Sequence, residues 1–461
     1  MSNTRAVVIG GSVGGLLAAA AASTYFDEVV IVDRDELPDG PVSRKGVPQG
    51  DQIHVLIPLG LEKISELIPE IKDELLRQGC REYDQLAETA YVSAAGWRRR
   101  VAAGAPNIGF RRPMLEWIIR KALQQRPNIS IRQASVRGLT SSPDGARVTG
   151  ISLKDGSTVD GDFVINASGR RSAAASWLEA LGFDAPEETT VSAYLGYSTQ
   201  FVRFPAGAMP DGTLGVIALP MPGALRGGCI LPADNGVYAF SAIGMMRDYP
   251  PRDRDGFIAF LDDALTPELG RLARIAEPVS EIHSYHVSGN LRRHWEDLES
   301  LPQRFLVVGD AVASFNPIYG QGMTTAASAA VLLQRELESA VDLDGVARRV
   351  QQALSPLIDT AFGMAAGGDS AYPDSEVAGK FTLPSPEDAE LASAADAVAV
   401  YDPAVALALG QTAFYIDSRP MQAPEVQEAL ASWLDGDREI GETDYSTIPE
   451  DVYVQSLAGK V

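Results

Sequence analysis

Apolar and polar positions at the start of the chain follow a pattern that predicts a βαβ unit. Residues 6–9 and 29–32 are β-branched runs of the kind that forms buried parallel strands. Between them, the glycine-rich segment 10–15 precedes residues 16–22, where leucine and alanine strongly favour a helix. The second strand ends at an acidic residue, Asp33. The order is therefore strand, glycine turn, helix, strand and acid.

This order of elements meets the requirements of a dinucleotide site. Gly10 allows a tight turn after the first strand, and Gly15 allows the helix to pack closely on the sheet. The helix N-terminus directs unpaired N–H groups and a positive dipole end at a pyrophosphate. Asp33 stands 23 residues after Gly10 and can accept hydrogen bonds from ribose hydroxyls. We therefore predict that this unit binds a dinucleotide.

Ser12 departs from the usual glycine pattern because it occupies the place of the middle glycine. Its methylene group still permits fairly close approach of a phosphate, and Gly11 and Gly14 provide freedom nearby. The alternative is a glycine-rich turn that only packs against the sheet. We favour the dinucleotide site because strand, helix and terminal acid are all in place. This segment alone does not distinguish NAD from FAD.

A second pattern near residue 300 indicates the kind of dinucleotide. Residues 304–308 predict a strand, and a long helix is predicted from Thr324 to about residue 340. Asp310 follows the strand, at an edge where parallel sheets bind ligands, and its carboxylate can hold the hydroxyls of a ribityl chain. In the intervening loop, Gly320 and Gly322 allow the backbone to lie against a flat ring. The N-terminus of the new helix would stabilise negative charge on a reduced flavin.

These two segments together resemble the FAD-dependent monooxygenases of the p-hydroxybenzoate hydroxylase type, over about the first 345 residues. The resemblance implies an α/β fold in which a Rossmann-like FAD-binding domain carries an inserted antiparallel β-sheet domain for the substrate, followed here by a C-terminal helical section. It implies that segment 10–15 holds the ADP half of FAD and that Asp310 contacts the ribityl chain. The loop from Pro317 to Met323 would lie beside the isoalloxazine.

Other segments carry further matches to this family. The loop 44–49, with His54 nearby, resembles the arginine-bearing loop after the second strand, and residues 112–120 resemble a helix whose first arginine contacts the cofactor. Val136 resembles a residue whose backbone meets the adenine. Taken singly, each match is equally compatible with a solvated arginine or a core valine. The resemblance implies cofactor contacts at Gly10, Ser12, Val13, Gly14, Gly15, Asp33, Arg34, Arg44, Lys45, Arg112, Val136, Gly169, Asp310, Pro317, Gly320, Gly322 and Met323.

One segment departs from the aromatic hydroxylases of this family. Ser168-Gly169 replaces their Asp-Gly pair, which puts direct reduction by NADPH in doubt. The chain has no second glycine-rich nucleotide turn, so we expect no separate nicotinamide domain. NADPH stays a candidate electron donor that is not stably bound. The Ser-Gly-Arg form is more similar to flavoproteins that tailor bacterial polyketides, including polyene epoxidases and cyclases that close decalin rings without net redox change. The five tryptophans include no Trp-x-Trp pair of a flavin halogenase.

The middle of the chain predicts an inserted sheet. We expect it to cover the flavin and to form one wall of an apolar pocket. The candidate lining residues are Tyr197, Phe240, Met245 and Met246, although a plain core role is favoured for each. Strands separated by Pro and Gly turns are predicted at 194–204, 213–219, 227–232 and 237–246, and a helix at 255–264.

The end of the chain predicts a helical section. Its 19 acidic and 6 basic residues indicate a helical cap or a dimerisation element with a solvated acidic face, so the protein is expected to be a monomer or a homodimer. Helical spacing is present at 346–364, 389–400, 403–415 and 425–434. The predicted domains are FAD-binding at 1–186 (with substrate-domain segments around 85–100), the substrate sheet at 187–284, FAD-binding again at 285–345, and the helical section at 346–461.

Composition and charge exclude several classes of function. The 461 residues include 39 Lys and Arg against 61 Asp and Glu, and a net charge of −22 repels nucleic acid. Two cysteines and four histidines, none of the latter paired at i,i+4, argue against a disulfide framework and a bound metal. The longest run of small and apolar residues, 14–26, is shorter than the about 20 residues of a membrane span. Residues 1–5 lack a secretory leader pattern, so we expect a cytoplasmic protein.

Three hypotheses for the reaction follow from the resemblance. The first is a monooxygenase that epoxidises or hydroxylates a hydrophobic, polyketide-like intermediate through a flavin hydroperoxide. The second is a decalin-forming, non-redox cyclase of the cycloaddition type in which flavin is structural. The third is a flavin-dependent double-bond reductase. Electrons would come from NADPH, a flavin reductase or a ferredoxin. His54 is the candidate for a proton or substrate contact, with a structural hydrogen bond as the alternative.

Overall fold

A computed structural model describes residues 4–436, 444–449 and 453–454 of the chain. Residues 1–3 and, within the predicted helical section, residues 437–443, 450–452 and 455–461 lie outside the described part. In chain order the helices are α1 (Val13–Ala22), α2 (Pro58–Leu67), α3 (Ile71–Arg77), α4 (Gln85–Glu88), α5 (Arg112–Gln124), α6 (Ala174–Ala180), α7 (Arg254–Asp262), α8 (Glu268–Ile275), α9 (Gly322–Ser339), α10 (Val346–Ser370), α11 (Pro386–Val398), α12 (Pro403–Tyr415) and α13 (Pro424–Leu434).

A five-stranded parallel sheet contains the buried β-branched runs, as their sequence predicts. Its register places Ile9 beside both Val32 and Asn166, and Asn166 beside Val307. These strands therefore end at one edge, and the segments that follow them meet there. From one side to the other, the strands are Phe305–Val307, Phe163–Asn166, Arg5–Ile9, Glu28–Asp33 and Ile129–Gln133.

Close backbone packing at this edge requires glycine at two positions. Gly10 has a φ of +105°, and a Cβ atom there would lie 2.5 Å from the carbonyl oxygen of Ala167. A Cβ atom on Gly15 would overlap the carbonyl oxygen of Gly10, so α1 rests directly on the turn that precedes it. Because this glycine turn already forms the first turn of the helix, α1 begins at Val13 rather than at the predicted residue 16.

An eight-stranded, mainly antiparallel sheet forms the second large unit. It takes strands from residues 89–97 as well as from 195–287. Helices α7 and α8 pack on one face, through Phe257 and Leu269 among others, and the opposite face is turned towards the parallel-sheet unit. In pairing order the strands are Glu277–Pro278, Leu195–Arg203, Tyr238–Gly244, Arg226–Pro232, Gly215–Ala218, Thr89–Ser93 and Gly96–Trp97, with His283–Val287 also beside Leu195–Arg203.

Four smaller sheets accompany the two large units in the described part of the chain. A sheet of three strands is formed by residues between two strands of the parallel sheet, and a sheet of four strands includes a strand contributed by the C-terminal section. The first contains Thr158–Asp160, Val148–Leu153 and Val136–Ser141, and the second Ala313–Ser314, Asn290–Arg293, Glu188–Ser192 and Glu376–Ala378. Two further pairs are Tyr453–Val454 with Arg100–Val101, and Arg81–Tyr83 with Asn107–Gly109.

The C-terminal helices divide into two groups. Helix α10 packs along α9 and buries Leu354, Ile358 and Phe362 in the core of the parallel-sheet unit. Helices α11, α12 and α13 enclose a separate apolar cluster that contains Val398 and Leu430. None of the described helices is long and apolar enough to cross a membrane.

The contact between α1 and the glycine turn makes a prediction about stability. We expect Gly15→Ala to lower the free energy of unfolding by about 3 kcal/mol, because the added methyl group overlaps rigid backbone. The control is Gly363→Ala in the exposed interior of α10, where nothing lies within 4 Å of the added atom. This change should raise the free energy of unfolding by about 0.5–1 kcal/mol. Urea unfolding measures both, and wild-type stability of Gly15→Ala would contradict the packing.

Candidate functional site

The N-termini of α1 and α9 converge at the carboxyl edge of the parallel sheet. A Cβ atom on Gly14, in the first turn of α1, would lie 3.5 Å from the Ala326 side chain and 4.0 Å from Gly309. The two glycine-containing segments that the sequence separates by about 300 residues are therefore adjacent. No described side chain caps the N-terminus of either helix. Their free N–H groups and positive dipole ends thus form a site for a polar or anionic ligand.

Ser12 occupies the N-cap position of α1 but does not cap it. Its hydroxyl instead donates to Glu116 Oε1 at 2.6 Å and accepts from Arg112 Nη2 at 3.0 Å, both on α5. A serine at this position would ordinarily accept a hydrogen bond from the helix backbone and so compete with a bound phosphate. The contact with α5 removes that competition, which explains how serine replaces the usual middle glycine.

A network of buried charges lies between Asp33 and α5. Arg44 is 3.4 Å from Asp33, 3.0 Å from Asp35 and 3.6 Å from Glu116. Asp33 also accepts from the backbone N–H of Gly11 at 2.6 Å. The Arg44 guanidinium therefore lies at the Asp33 end of the site, beside the predicted position of the ribose.

Glu116 balances the two arginines of this network. Burial opposes its ionisation, but Arg112, Arg44 and the Ser12 hydroxyl outweigh burial and lower its pKa. Glu116 is thus held as a carboxylate between Arg44 and Arg112. The sequence prediction did not include Glu116, because its contact with Ser12 spans 104 residues of chain.

Asp310 lies at the same edge with its carboxylate unpaired. Within residues 4–436 and 444–449, no hydrogen-bond donor reaches it. Burial raises its pKa, against the opposing influence of Arg112 and Arg170. A carboxylate in these surroundings is poised to accept hydroxyl donors from a ligand. Arg170 donates to Ser314 Oγ at 3.1 Å. It directly follows Ser168-Gly169, so that motif was the signal by which the sequence could have identified it as a site residue.

The loop before α9 has the conformation that its sequence predicts. Asn316 is extended (φ −58°, ψ 121°) before Pro317, and Gly320 has a φ of +69°. Two buried oxygens at the start of α9, Gln321 Oε1 and Thr324 Oγ1, lack a hydrogen-bond partner among the described residues. Thr324 Oγ1 packs against Gly60 of α2, and the amide of Gln321 contacts Met364 of α10, so neither oxygen defines a ligand contact.

His54 lies close to Arg112 and Glu116, and its Nδ1 is 3.0 Å from the carbonyl oxygen of Gln52. Burial lowers the pKa of His54 to about 3, and the positive charge of Arg112 acts in the same direction. The ring is therefore neutral at physiological pH. It can exchange hydrogen bonds with a ligand but does not carry a positive charge there.

The predicted pocket residues do not all lie on one face of the antiparallel sheet. Tyr197 pairs directly with Ile243, and Met245 belongs to the same apolar cluster. Phe240 is three positions from Ile243, so it points to the opposite face, where its ring centroid lies 5.7 Å from that of Phe257 in α7. Phe240 is therefore a core residue and is removed from the lining set.

The face that contains Tyr197 packs against the loops that border the site. Ile53 and Val55, from the loop with His54, and Ile318, from the loop before α9, contact this cluster. Tyr285 lies edge-on to Tyr197 with ring centroids 6.1 Å apart. An apolar wall carrying two phenols thus faces the edge where the two helix N-termini converge.

The remaining predicted contacts occupy varied positions. The side chain of Arg34 is 70% exposed, and Lys45 is also exposed. Val136 begins a strand of the three-stranded sheet and packs against the apolar cluster on that side of the parallel sheet. Gly169 has a φ of +82° with open space beside it, and Met323 is buried in the core at the start of α9.

A family model described as "FAD binding domain" matches residues 3–352. The chain belongs to this FAD-binding-domain family. The match confirms FAD as the cofactor, the α/β fold class and the resemblance to flavoprotein monooxygenases, and it makes the chain an oxidoreductase of that family. The described residues fit FAD: no described side chain donates to Asp310, and the N-termini of α1 and α9 have no side-chain cap.

Several known proteins are similar to this flavoprotein over most of its length. Protein Rv3254 of Mycobacterium tuberculosis (strain ATCC 25618 / H37Rv) is 29% identical over 355 residues, which are 72% of this chain and 73% of that protein. The structure of PqsL, a probable FAD-dependent monooxygenase from Pseudomonas aeruginosa, has a TM-score of 0.61 at 15% identity, covering 80% of this chain and 96% of PqsL. The Diels-Alderase PyrE3 of pyrroindomycin biosynthesis has a TM-score of 0.59 at 14% identity, covering 90% and 81%.

Replacement of Asp310 separates its binding role from any role in stability. We expect Asp310→Asn to raise the Kd for FAD about tenfold, which is about 1.4 kcal/mol, because the amide is a weaker acceptor for ligand hydroxyls. The FAD-free protein should be about as stable as the wild type, since Asp310 is only partly buried and no described side chain donates to it. Fluorescence titration and urea unfolding measure the two effects. Exposed Asp211→Asn is the control, and unchanged FAD affinity of Asp310→Asn would contradict the assignment.

The neutral state of His54 predicts a pH dependence of stability in the FAD-free protein. Its folded pKa of about 3 lies below the ordinary value of 6.5, so the unfolded chain binds the extra proton first as the pH falls. As the pH falls from 8 to 5, His54 should therefore lower the free energy of unfolding by up to about 2 kcal/mol. The free energy of unfolding of His54→Gln, measured in urea, should fall by correspondingly less over the same interval. Equal losses in the two proteins would show that His54 titrates normally.

Proposed function

We propose that this flavoprotein is a monooxygenase that epoxidises or hydroxylates a hydrophobic, polyketide-like intermediate. The observation that carries the proposal is the apolar sheet face of Tyr197 and Met245, packed against Ile53 and Ile318 of the loops at the FAD site. Ligand pockets are mostly apolar with a few oriented polar groups, and this face fits that description. A substrate held there would lie between the sheet and the loop predicted to border the isoalloxazine.

The residues of the chain would bind, orient and shield in this reaction. Bound FAD, once reduced, supplies the activation of molecular oxygen. The uncapped N-terminus of α9 would stabilise negative charge at the ring, and Asp310 would hold the ribityl hydroxyls. The apolar cluster around Tyr197 would exclude water from the reacting atoms.

The polar groups of the proposed pocket point to a neutral substrate. Burial raises the pKa of Tyr197, so its hydroxyl stays protonated and can orient a carbonyl or hydroxyl group of the substrate. Burial also raises the pKa of the Cys229 thiol, on the same face, to about 12, so it is not a thiolate nucleophile. Shape and apolar contact would therefore select the substrate.

Ser168 favours a second candidate, a non-redox cyclase. The aspartate that the aromatic hydroxylases carry at this position is absent, so FAD could remain oxidised while the pocket folds a linear polyene into a reactive shape. The similarity to the Diels-Alderase PyrE3 supports this candidate at the level of the fold. For a monooxygenase, the same serine favours electron supply by a flavin reductase or ferredoxin over free NADPH.

Oxygen dependence distinguishes the candidates. The purified holoprotein would be reduced without oxygen by NADPH, or by NADPH with a flavin reductase. It would then be mixed with isotopically labelled oxygen and a panel of linear polyenes and aromatic polyketides. We expect one labelled oxygen atom in the product and reoxidation of the flavin, measured by mass spectrometry and visible absorbance. A higher reduction rate with the reductase than with NADPH alone is also expected.

Two other results would contradict the monooxygenase proposal and support one of the other reactions. Product formed from a polyene without oxygen, while the flavin stays oxidised, would establish the cyclase. Product with a saturated double bond, formed from reduced flavin without oxygen, would establish the reductase. Heat-treated holoprotein with the same free FAD concentration controls for oxidation in solution.

A further inference from the structure

A buried carboxylate of the C-terminal section contacts the loop before α9. Asp369, at the end of α10, is 0% exposed. It accepts hydrogen bonds from Asn316 Nδ2 at 2.9 Å and from Asn290 Nδ2 at 2.8 Å. Asn290 Oδ1 in turn accepts from the Asn316 backbone N–H at 2.7 Å. Both asparagines are thus oriented with their amide groups towards one carboxylate.

The close approach of α10 to this loop depends on a glycine. A Cβ atom on Gly368 would overlap the hydroxyl of Tyr319, which lies two residues after Pro317 in the loop. The Tyr319 hydroxyl is 3.4 Å from Asp369 Oδ1. The helix therefore reaches the loop through backbone and carboxylate together.

The described donors to Asp369 are all neutral groups. Burying a carboxylate among neutral donors costs free energy, so a neutral side chain would hold the loop at a lower cost. Burial raises the pKa of Asp369 to about 6, although its three side-chain donors oppose that shift. The titratable groups that face it are the hydroxyls of Tyr319 and Tyr372, and burial raises the pKa of both, so they remain neutral. The carboxylate thus places a negative charge behind the loop at pH 8.

We propose that Asp369 is a positioning residue for the FAD loop, residues 316–323, and that its negative charge lowers the reduction potential of the bound flavin. The residue lies beyond the part of the chain that matches the family model, which ends at residue 352. Through Asn316 and Tyr319 it fixes the backbone that precedes Gly320 and α9. The proposal rests on FAD binding and on the predicted place of this loop at the ring, and it is independent of the reaction proposed above.

The direction of the effect follows from electrostatics. A reduced flavin carries more negative charge than an oxidised one, so a nearby carboxylate disfavours the reduced state. Neutralising Asp369 should therefore increase the affinity of the protein for reduced FAD relative to oxidised FAD. A purely structural tether would change the stability of the loop and leave this ratio unchanged.

The test compares Asp369→Asn with wild-type holoprotein at pH 8. We expect the affinity ratio of reduced to oxidised FAD to rise about tenfold, which shifts the midpoint potential by about +30 mV for a two-electron couple. The overall Kd for oxidised FAD should rise as the loop loosens. The matched control is Asp374→Asn, an exposed carboxylate five residues further along, which should change neither quantity. Redox titration with a reference dye gives the potential without substrate or turnover.

An unchanged potential in folded Asp369→Asn would overturn the proposal. If that variant does not fold, Tyr319→Phe decides, because it removes one donor while its ring still fits against Gly368. Loss of the donor concentrates the charge on Asp369, so the potential should become more negative, by less than the shift expected for Asp369→Asn. An unchanged or more positive potential in Tyr319→Phe would also overturn the proposal. Neither result depends on whether the enzyme is an oxygenase or a cyclase.

Discussion

Close backbone contact between Gly10 and Gly15, neither of which has a side chain, sets the position of the site. Because Gly10 and Gly15 lack a Cβ atom, α1 can rest on the turn that follows the first strand. That position aims the N-terminus of α1 at the carboxyl edge of the sheet and brings Gly14 next to the start of α9. Two free helix N-termini then face the same space. A side chain at either glycine would displace α1 and with it the helix N-terminus that is predicted to bind phosphate.

The protein has a net charge of −22, yet two arginines, Arg44 and Arg112, are buried at the predicted dinucleotide site. Glu116 holds both arginines in place, which prevents two buried cations from repelling each other. The same carboxylate binds the Ser12 hydroxyl and leaves the N–H groups of α1 free. Glu116 thus allows a serine to stand in the glycine turn while the N-terminus of α1 stays uncapped.

Sequence patterns predicted those features that depend on neighbours in the chain. The β-branched runs, the glycine turn and the extended Asn316 before Pro317 are set by local sterics, and all are present in the structure. Features set by distant contacts were not accessible in this way. Phe240 lies on the opposite sheet face from Tyr197, because successive side chains of a strand point to opposite faces and the register of Tyr197 with Ile243 sets which face each one takes. Glu116 and Asp369 act on residues 104 and 53 positions away, so only the fold reveals them.

The first helix of the C-terminal section is part of the parallel-sheet unit in physical terms. Its helix α10 buries Ile358 and Phe362 in the same core as α9, and Asp369 and Tyr372 reach the loop and the apolar face that border the site. A section that served only to shield charge or to dimerise would not need a glycine at 368 to admit the Tyr319 hydroxyl. The family match ends at residue 352, so the contact of Asp369 with the loop originates outside the matched segment, whereas the glycine turn lies inside it.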